Sequence, residues 1–176
     1  RNRMSDEEVE KTLKEKDFDV VVFGCIVTGY KMIKDLSRML RRVKKEAVII
    51  AGNSVADSIP RMLLERTEVD VAVIGEGDIT IVELLKAFDG KRKDISTVQG
   101  IAFKYGQNVV ITQPRMAIPC LDDIGFPTWE IFDLQKYNHY ADSNTISFGS
   151  PIKRSFPLNS ARGCPFNCTF CYHVFK

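Results

Sequence analysis

The chain has 176 residues, 44% of them hydrophobic and 27% charged, with a formal net charge of +2. That length suits one domain of about 100–150 residues with an appendage, and the composition excludes low complexity, collagen-like repeats and wholesale disorder. No apolar run approaches the roughly 18 residues of a membrane helix, and the near-neutral charge gives no electrostatic case for nucleic acid or an anionic membrane. No signal-peptide core stands at the front, and five cysteines in a chain of this size do not resemble a secreted disulfide framework, so a cytoplasmic protein is expected. The first residue is Arg1 rather than Met, and three of the five cysteines fall in the last thirteen residues, so a piece of a longer protein is expected.

Ser5, with Glu8 three residues on, predicts a capping box at the start of a first helix, with Met4 and Val9 placed as a hydrophobic staple. Leu13 extends its one narrow apolar edge. Val20-Val21-Val22-Phe23 is a continuous apolar run, as expected of a strand buried on both faces of a parallel sheet. Cys25, just after it, reads as a small core residue. Thr28-Gly29 breaks the run, and Ile33, Leu36, Leu40 and Val43 then fall on one helical face. The basic residues of that helix (Lys31, Lys34, Arg38, Arg41, Arg42, Lys44 and Lys45) read mainly as a solvated face.

A second strand, Ala47 to Ile50, ends at Ala51-Gly52-Asn53, and Ser58 is placed to cap a helix over Pro60 to Glu65. The third strand, Val69 to Ile74, runs into Gly75-Glu76-Gly77-Asp78. The helix after it carries Ile81, Leu84, Leu85 and Phe88, with Gly90 as its C-cap. Three strand–helix alternations specify an α/β fold, a Rossmann-like parallel sheet with flanking helices, from which one or two upstream strands are expected to be missing. Val98–Tyr105 and Asn108–Thr112 then read as a hairpin around Gly106-Gln107. Periodicity is lost from Pro114 to about Pro157, and Phe156-Pro157-Leu158-Asn159 is placed to open a further strand.

Ligands of open α/β sheets bind beyond the carboxyl ends of the strands. Thr28, Gly52, Gly75, Glu76 and Gly77 stand there. For Gly75-Glu76-Gly77 two readings stand: a ligand-binding turn, or a tight turn in which glycine relieves backbone strain and Glu76 favours the helix N-terminus.

Cys164, Cys168 and Cys171 form a C-x-x-x-C-x-x-C run. Three thiolates so close in one loop suit a single metal centre. Iron–sulfur clusters are held by cysteine thiolates, usually four, so three would leave one iron open. The alternative is zinc, with His173 as a fourth ligand. Cys120 carries no assigned role.

The stretch Arg162-Gly163-Cys164-Pro165-Phe166-Asn167-Cys168-Thr169-Phe170-Cys171 resembles the cluster loop of radical S-adenosylmethionine (SAM) enzymes, C-x-x-x-C-x-aromatic-C, with Phe170 as the aromatic. Gly75-Glu76-Gly77-Asp78-Ile79-Thr80 resembles the G-E-G-E-x-T segment of the cobalamin-binding-type domains that precede a radical SAM barrel. Leu121-Asp122-Asp123 and Pro127-Thr128-Trp129 follow in that family's order.

The resemblance implies a 4Fe–4S cluster on Cys164, Cys168 and Cys171, SAM on the open iron, and main-chain atoms near Phe170 facing the adenine. It implies reductive cleavage of SAM to a 5′-deoxyadenosyl radical, fed by an electron donor such as flavodoxin or ferredoxin. The radical would act in methylation or another modification of an unidentified substrate. Cobalamin would lie against the Rossmann-like domain, near Thr28, Gly52, Gly75, Glu76 and Gly77. The implied organisation is a cobalamin-binding-type domain with hairpin over 1–113, a connector over 114–154, and the start of the radical SAM domain over 155–176.

Two departures accompany it. There is no Asp-x-His-x-x-Gly motif, the only histidines being His139 and His173, so no residue is a candidate lower ligand to cobalt. Relatives commonly show Gly-Gly-Pro where Ala51-Gly52-Asn53 stands. Only five residues follow Cys171, so without the rest of a barrel the chain alone is not expected to turn over. A cofactor-free scaffold or interaction domain is the competing reading.

Overall fold

The computed structural model describes residues 4–89, 94–135, 161–164, 166 and 168–171. Its contacts divide the chain into two compact units, Arg1–Pro119 with Cys168–Lys176, and Cys120–Asn167. The Gly90 cap, the strand around Phe156, both histidines, and Pro165, Asn167 and Tyr172 of the cysteine loop lie outside the described residues.

The first unit is built on a five-stranded mixed sheet in the order β1-β2-β3-β4-β5. The strands are β1 (Val20–Gly24), β2 (Val48–Gly52), β3 (Val71–Val73), β4 (Ile101–Tyr105) and β5 (Asn108–Ile111). The first three are parallel, with Val20 opposite Val48, Gly24 opposite Gly52, and Ile50 opposite Val71. Helices α1 (Asp6–Glu15), α2 (Tyr30–Val43), α3 (Ser54–Ser58), α4 (Pro60–Arg66) and α5 (Gly77–Asp89) flank the sheet. This is a Rossmann-like arrangement. Among the described residues no helix is long and apolar enough to cross a membrane.

Alternation along the strands sends side chains to two cores. Ile49, Ala51 and Ala72 join Ile33 and Leu40 of α2, Val55 of α3 and Leu63 and Leu64 of α4. Ile50, Val71 and Val73 join Leu84 of α5, with Ile95, Val98, Ile101 and Phe103. Leu63 and Leu84 are fully buried, so truncating either to alanine costs about 2–5 kcal/mol.

The capping box of α1 is formed: the Ser5 amide donates to Glu8 Oε2 at 2.7 Å and the Glu8 amide to Ser5 Oγ at 3.2 Å. Met4 is exposed, Leu13 packs against the first core, and Cys25 is buried within it.

The expected hairpin forms, and β4 pairs antiparallel with β3, so it continues the sheet. Three expectations are corrected. β1 is an edge strand, and Val22 is 54% exposed near its end, whereas Val20 on the same face packs against the second core. Ser58 does not cap α4. It ends α3, donating its hydroxyl to the Ser54 carbonyl at 2.5 Å, and Ile59 takes the N-cap position with Pro60 as the first helical residue. Leu85 faces out of α5, where Ile79 and Val82 are exposed as well.

In the second unit the described chain forms two single 3₁₀ turns, Leu121–Asp123 and Trp129–Ile131. Trp129 and Phe132 stand in tilted ring contact, 6.1 Å between centroids.

Candidate functional site at the strand ends

β1 and β2 end on paired glycines, Gly24 and Gly52, and the β3 segment turns at Gly75, whose φ of +78° suits glycine. A Cβ built at any of these three glycines meets no atom within 4 Å. The strand ends therefore face open space. They border a groove of about 350 Å³ with an apolar floor of Val22, Ile50, Val73 and Ile81, and Asn53, Gly77 and Asp78 on its rim. That volume falls within the ordinary range for small-molecule sites.

The groove brings together Gly52, Gly75 and Gly77, three of the five residues expected at this edge. Thr28 is exposed in the 3₁₀ turn Val27–Gly29, outside the lining. Glu76 also stands outside it, and its Oε2 accepts the Ile118 amide at 2.7 Å. Sequence reasoning missed Gly24, Asn53 and Asp78. The pairing of Gly24 with Gly52 across two strands is visible only once the register is known.

The turn is held from behind. Asp57 of α3 accepts the Gly75 amide through Oδ1 at 2.7 Å, while its Oδ2 is buried without a hydrogen-bond partner. Burial raises the Asp57 carboxyl above the ordinary aspartate value of 3.8, against the lowering effect of the Gly75 hydrogen bond. On the other side of the turn, Arg115 Nε donates to the fully buried Thr80 Oγ1 at 2.8 Å, and its Nη2 pairs with Glu83.

Residues 2–85 match the family model described as the B12 binding domain. The cobalamin-dependent radical SAM methyltransferase TokK of Streptomyces tokunonensis is 24% identical over 154 residues, covering 87% of this chain and 22% of that protein. The chain belongs to the radical SAM proteins that carry a B12-binding-type domain. The anaerobic magnesium-protoporphyrin IX monomethyl ester cyclase of Cereibacter sphaeroides is 30% identical over 171 residues, covering 96% of this chain and 26% of the cyclase. The chain thus spans about a quarter of the length of these two relatives. In fold it is similar to the radical SAM methyltransferase TsrM of Kitasatospora setae with cobalamin and a [4Fe-4S] cluster bound. That match has a TM-score of 0.55 at 16% identity over 61% of this chain and 22% of TsrM.

Cys164, Cys168 and Cys171 are all exposed and in no disulfide. The Cys171 amide donates to the Cys168 carbonyl at 3.1 Å, and Gly163 has a φ of +78°. Phe170 is 90% exposed. Among the described residues no three cysteine, histidine, aspartate or glutamate side chains converge as a metal site. The chemistry of the donor set, three free thiols within eight residues, nevertheless suits iron–sulfur ligation. The glycines at the strand ends leave unfilled the volume that side chains would take, so one face of a ligand larger than the groove can approach the backbone there.

Proposed function

We propose that this chain is the cobalamin-handling front of a radical SAM enzyme that methylates, or otherwise modifies by a radical, a substrate that its own residues do not name. The observation that carries the reading is the groove opened by Gly24, Gly52 and Gly75 within the stretch that matches the B12 binding domain. When bound, a 4Fe–4S cluster with SAM supplies a 5′-deoxyadenosyl radical, and cobalamin supplies a transferable methyl group.

The work of this chain is to bind and shield. Gly24, Gly52 and Gly75 admit the ligand to the strand ends, and Val22, Ile50, Val73 and Ile81 give it a dry floor. Gly77, with Thr28 and Glu76 at the same edge, completes the proposed cobalamin contacts. Cys164, Cys168 and Cys171 are the proposed cluster ligands, and main-chain atoms near Phe170 the proposed adenine contact. In this reading 1–113 form the cobalamin-binding-type domain, 114–154 the connector and 155–176 the start of the radical SAM domain. The setting is cytoplasmic, and the electron comes from a donor such as flavodoxin or ferredoxin. No nucleic-acid or membrane partner enters the account.

The relatives carry different reaction names, a methyltransferase and a cyclase, so the outcome of the reaction is left at methylation or another radical modification. One observation favours the cofactor-free scaffold reading: the Glu76 carboxylate is engaged by the Ile118 amide within the fold.

Anaerobic reconstitution with iron and sulfide, followed by quantification of iron, sulfide, zinc and cobalt and an absorbance spectrum, tests the cluster assignment. Four irons per chain, lost on replacing Cys164, Cys168 and Cys171 by alanine, is the expected result. Stoichiometric zinc with no iron uptake overturns it.

A further inference from the structure

Asn53 is the one non-glycine residue with a positive φ among the described residues, at φ +66° and ψ −169°. That is a region populated almost only by glycine, and a side chain held there is strained. Nothing in the hydrogen bonding of the loop demands a side chain with an amide. The Asn53 carbonyl accepts the Ala56 and Asp57 amides, as the carbonyl of any residue would. Its Oδ1 accepts the adjacent Ser54 amide at 2.6 Å. Glycine would hold the same backbone without strain and is itself an acceptable N-cap residue. Asn53 is exposed and lines the groove, directly after Gly52.

Strain retained at the rim of a ligand groove, by a residue whose Oδ1 is already occupied, leaves the amide NH₂ as the group still able to act. That group is a hydrogen-bond donor with two protons and no charge. We propose that Asn53 is a specificity-determining residue of the groove, donating its side-chain amide protons to an oxygen acceptor of the bound cobalamin. Two parts of that ligand offer such acceptors: the amide carbonyls on the corrin rim and the phosphodiester of the nucleotide tail. The inference rests on the cobalamin reading above.

The test combines equilibrium binding of hydroxocobalamin to the full chain with thermal melts, for the parent, Asn53→Gly and Asn53→Asp. In Asn53→Gly the strain and the amide both go. The expected result is a Tm unchanged or raised, with affinity reduced roughly five- to tenfold, the scale of one uncharged hydrogen bond. Asn53→Asp keeps an acceptor for the Ser54 amide but removes the donor, and a similar loss of affinity is expected. Dicyanocobinamide, which lacks the nucleotide tail, then locates the acceptor. A loss shared by both ligands places it on the corrin rim, and a loss confined to cobalamin places it on the tail; either supports the assignment.

Binding by Asn53→Gly within twofold of the parent overturns the inference, as does Asn53→Asp binding like the parent. A Tm that falls together with the affinity in Asn53→Gly assigns the residue to folding alone and also overturns it. Failure of the parent to bind cobalamin overturns the inference together with the reading beneath it, which separates that failure from the others.

Discussion

Oδ1 of Asp57 accepts the amide of Gly75 at 2.7 Å, joining α3 to the turn that borders the groove. The same carboxyl buries its other oxygen without a partner, and burial raises its pKa above the ordinary 3.8. With the folded value above the unfolded one, the contribution of Asp57 to stability is fully present below pH 3.8. It is lost as the pH rises through the raised value. Asp57→Asn keeps an acceptor for Gly75 but cannot titrate. The Tm of the parent minus that of Asp57→Asn is therefore expected to fall as the pH is raised from about 3.5 to 7. A difference independent of pH would contradict this.

Arg115 ties the segment after β5 to α5. Its side chain is only 12% exposed, where it meets Thr80 and pairs with Glu83. Replacing it with methionine retains the apolar stem but leaves the buried Thr80 hydroxyl without this donor. A loss of about 1–3 kcal/mol is expected, read from urea denaturation. Glu76→Ala, which releases the Ile118 amide, is expected to cost less, about 0.5–1.5 kcal/mol, because a backbone amide near the surface regains water. The reverse order would contradict the assignment of Arg115 as the main tie.

At the opposite end of the strands, Arg41 of α2 closes a network that a lysine cannot copy. Its Nη1 donates to the Lys45 and Ala47 carbonyls, and its Nη2 reaches both Asp70 carboxylate oxygens at 2.8 and 2.6 Å. Asp70 Oδ2 also accepts the Ile49 amide at 2.8 Å, so the pair fixes the edge where β2 and β3 begin. Arg41→Ala is expected to cost about 1.5–3 kcal/mol in chemical denaturation, and Arg41→Lys to restore less than half of it. Full restoration by lysine would show that charge alone matters there.

Periodicity and capping were legible wherever the information is local. The capping box of Ser5 and Glu8, the α2 face of Ile33 and Leu40, and the hairpin turn at Gly106-Gln107 all follow from residues within a few positions of each other. What depended on neighbours distant in sequence was not legible. Val22 lies in as apolar a run as Ile50, but one is on an edge strand and the other is central, and only the strand order separates them. Ser58 has a capping residue's chemistry, yet the preceding turn of α3 takes it first. The basic residue Arg41 read as solvated because its partner Asp70 is 29 residues away. At the site, a glycine's identity was readable but not the space before it. Asn53 was conspicuous only as a departure from the relatives' pattern until its backbone angle was known.

Whether the open strand ends take cobalamin is decided by equilibrium binding of hydroxocobalamin to the full chain and to Gly52→Val. A Cβ at Gly52 meets no atom within 4 Å, so the valine side chain projects into open space and the fold should keep its Tm. Saturable, one-to-one binding by the parent and at least a tenfold loss in Gly52→Val, with the Tm unchanged, are expected. Equal binding by both proteins, or none by the parent, would contradict cobalamin binding at the strand ends.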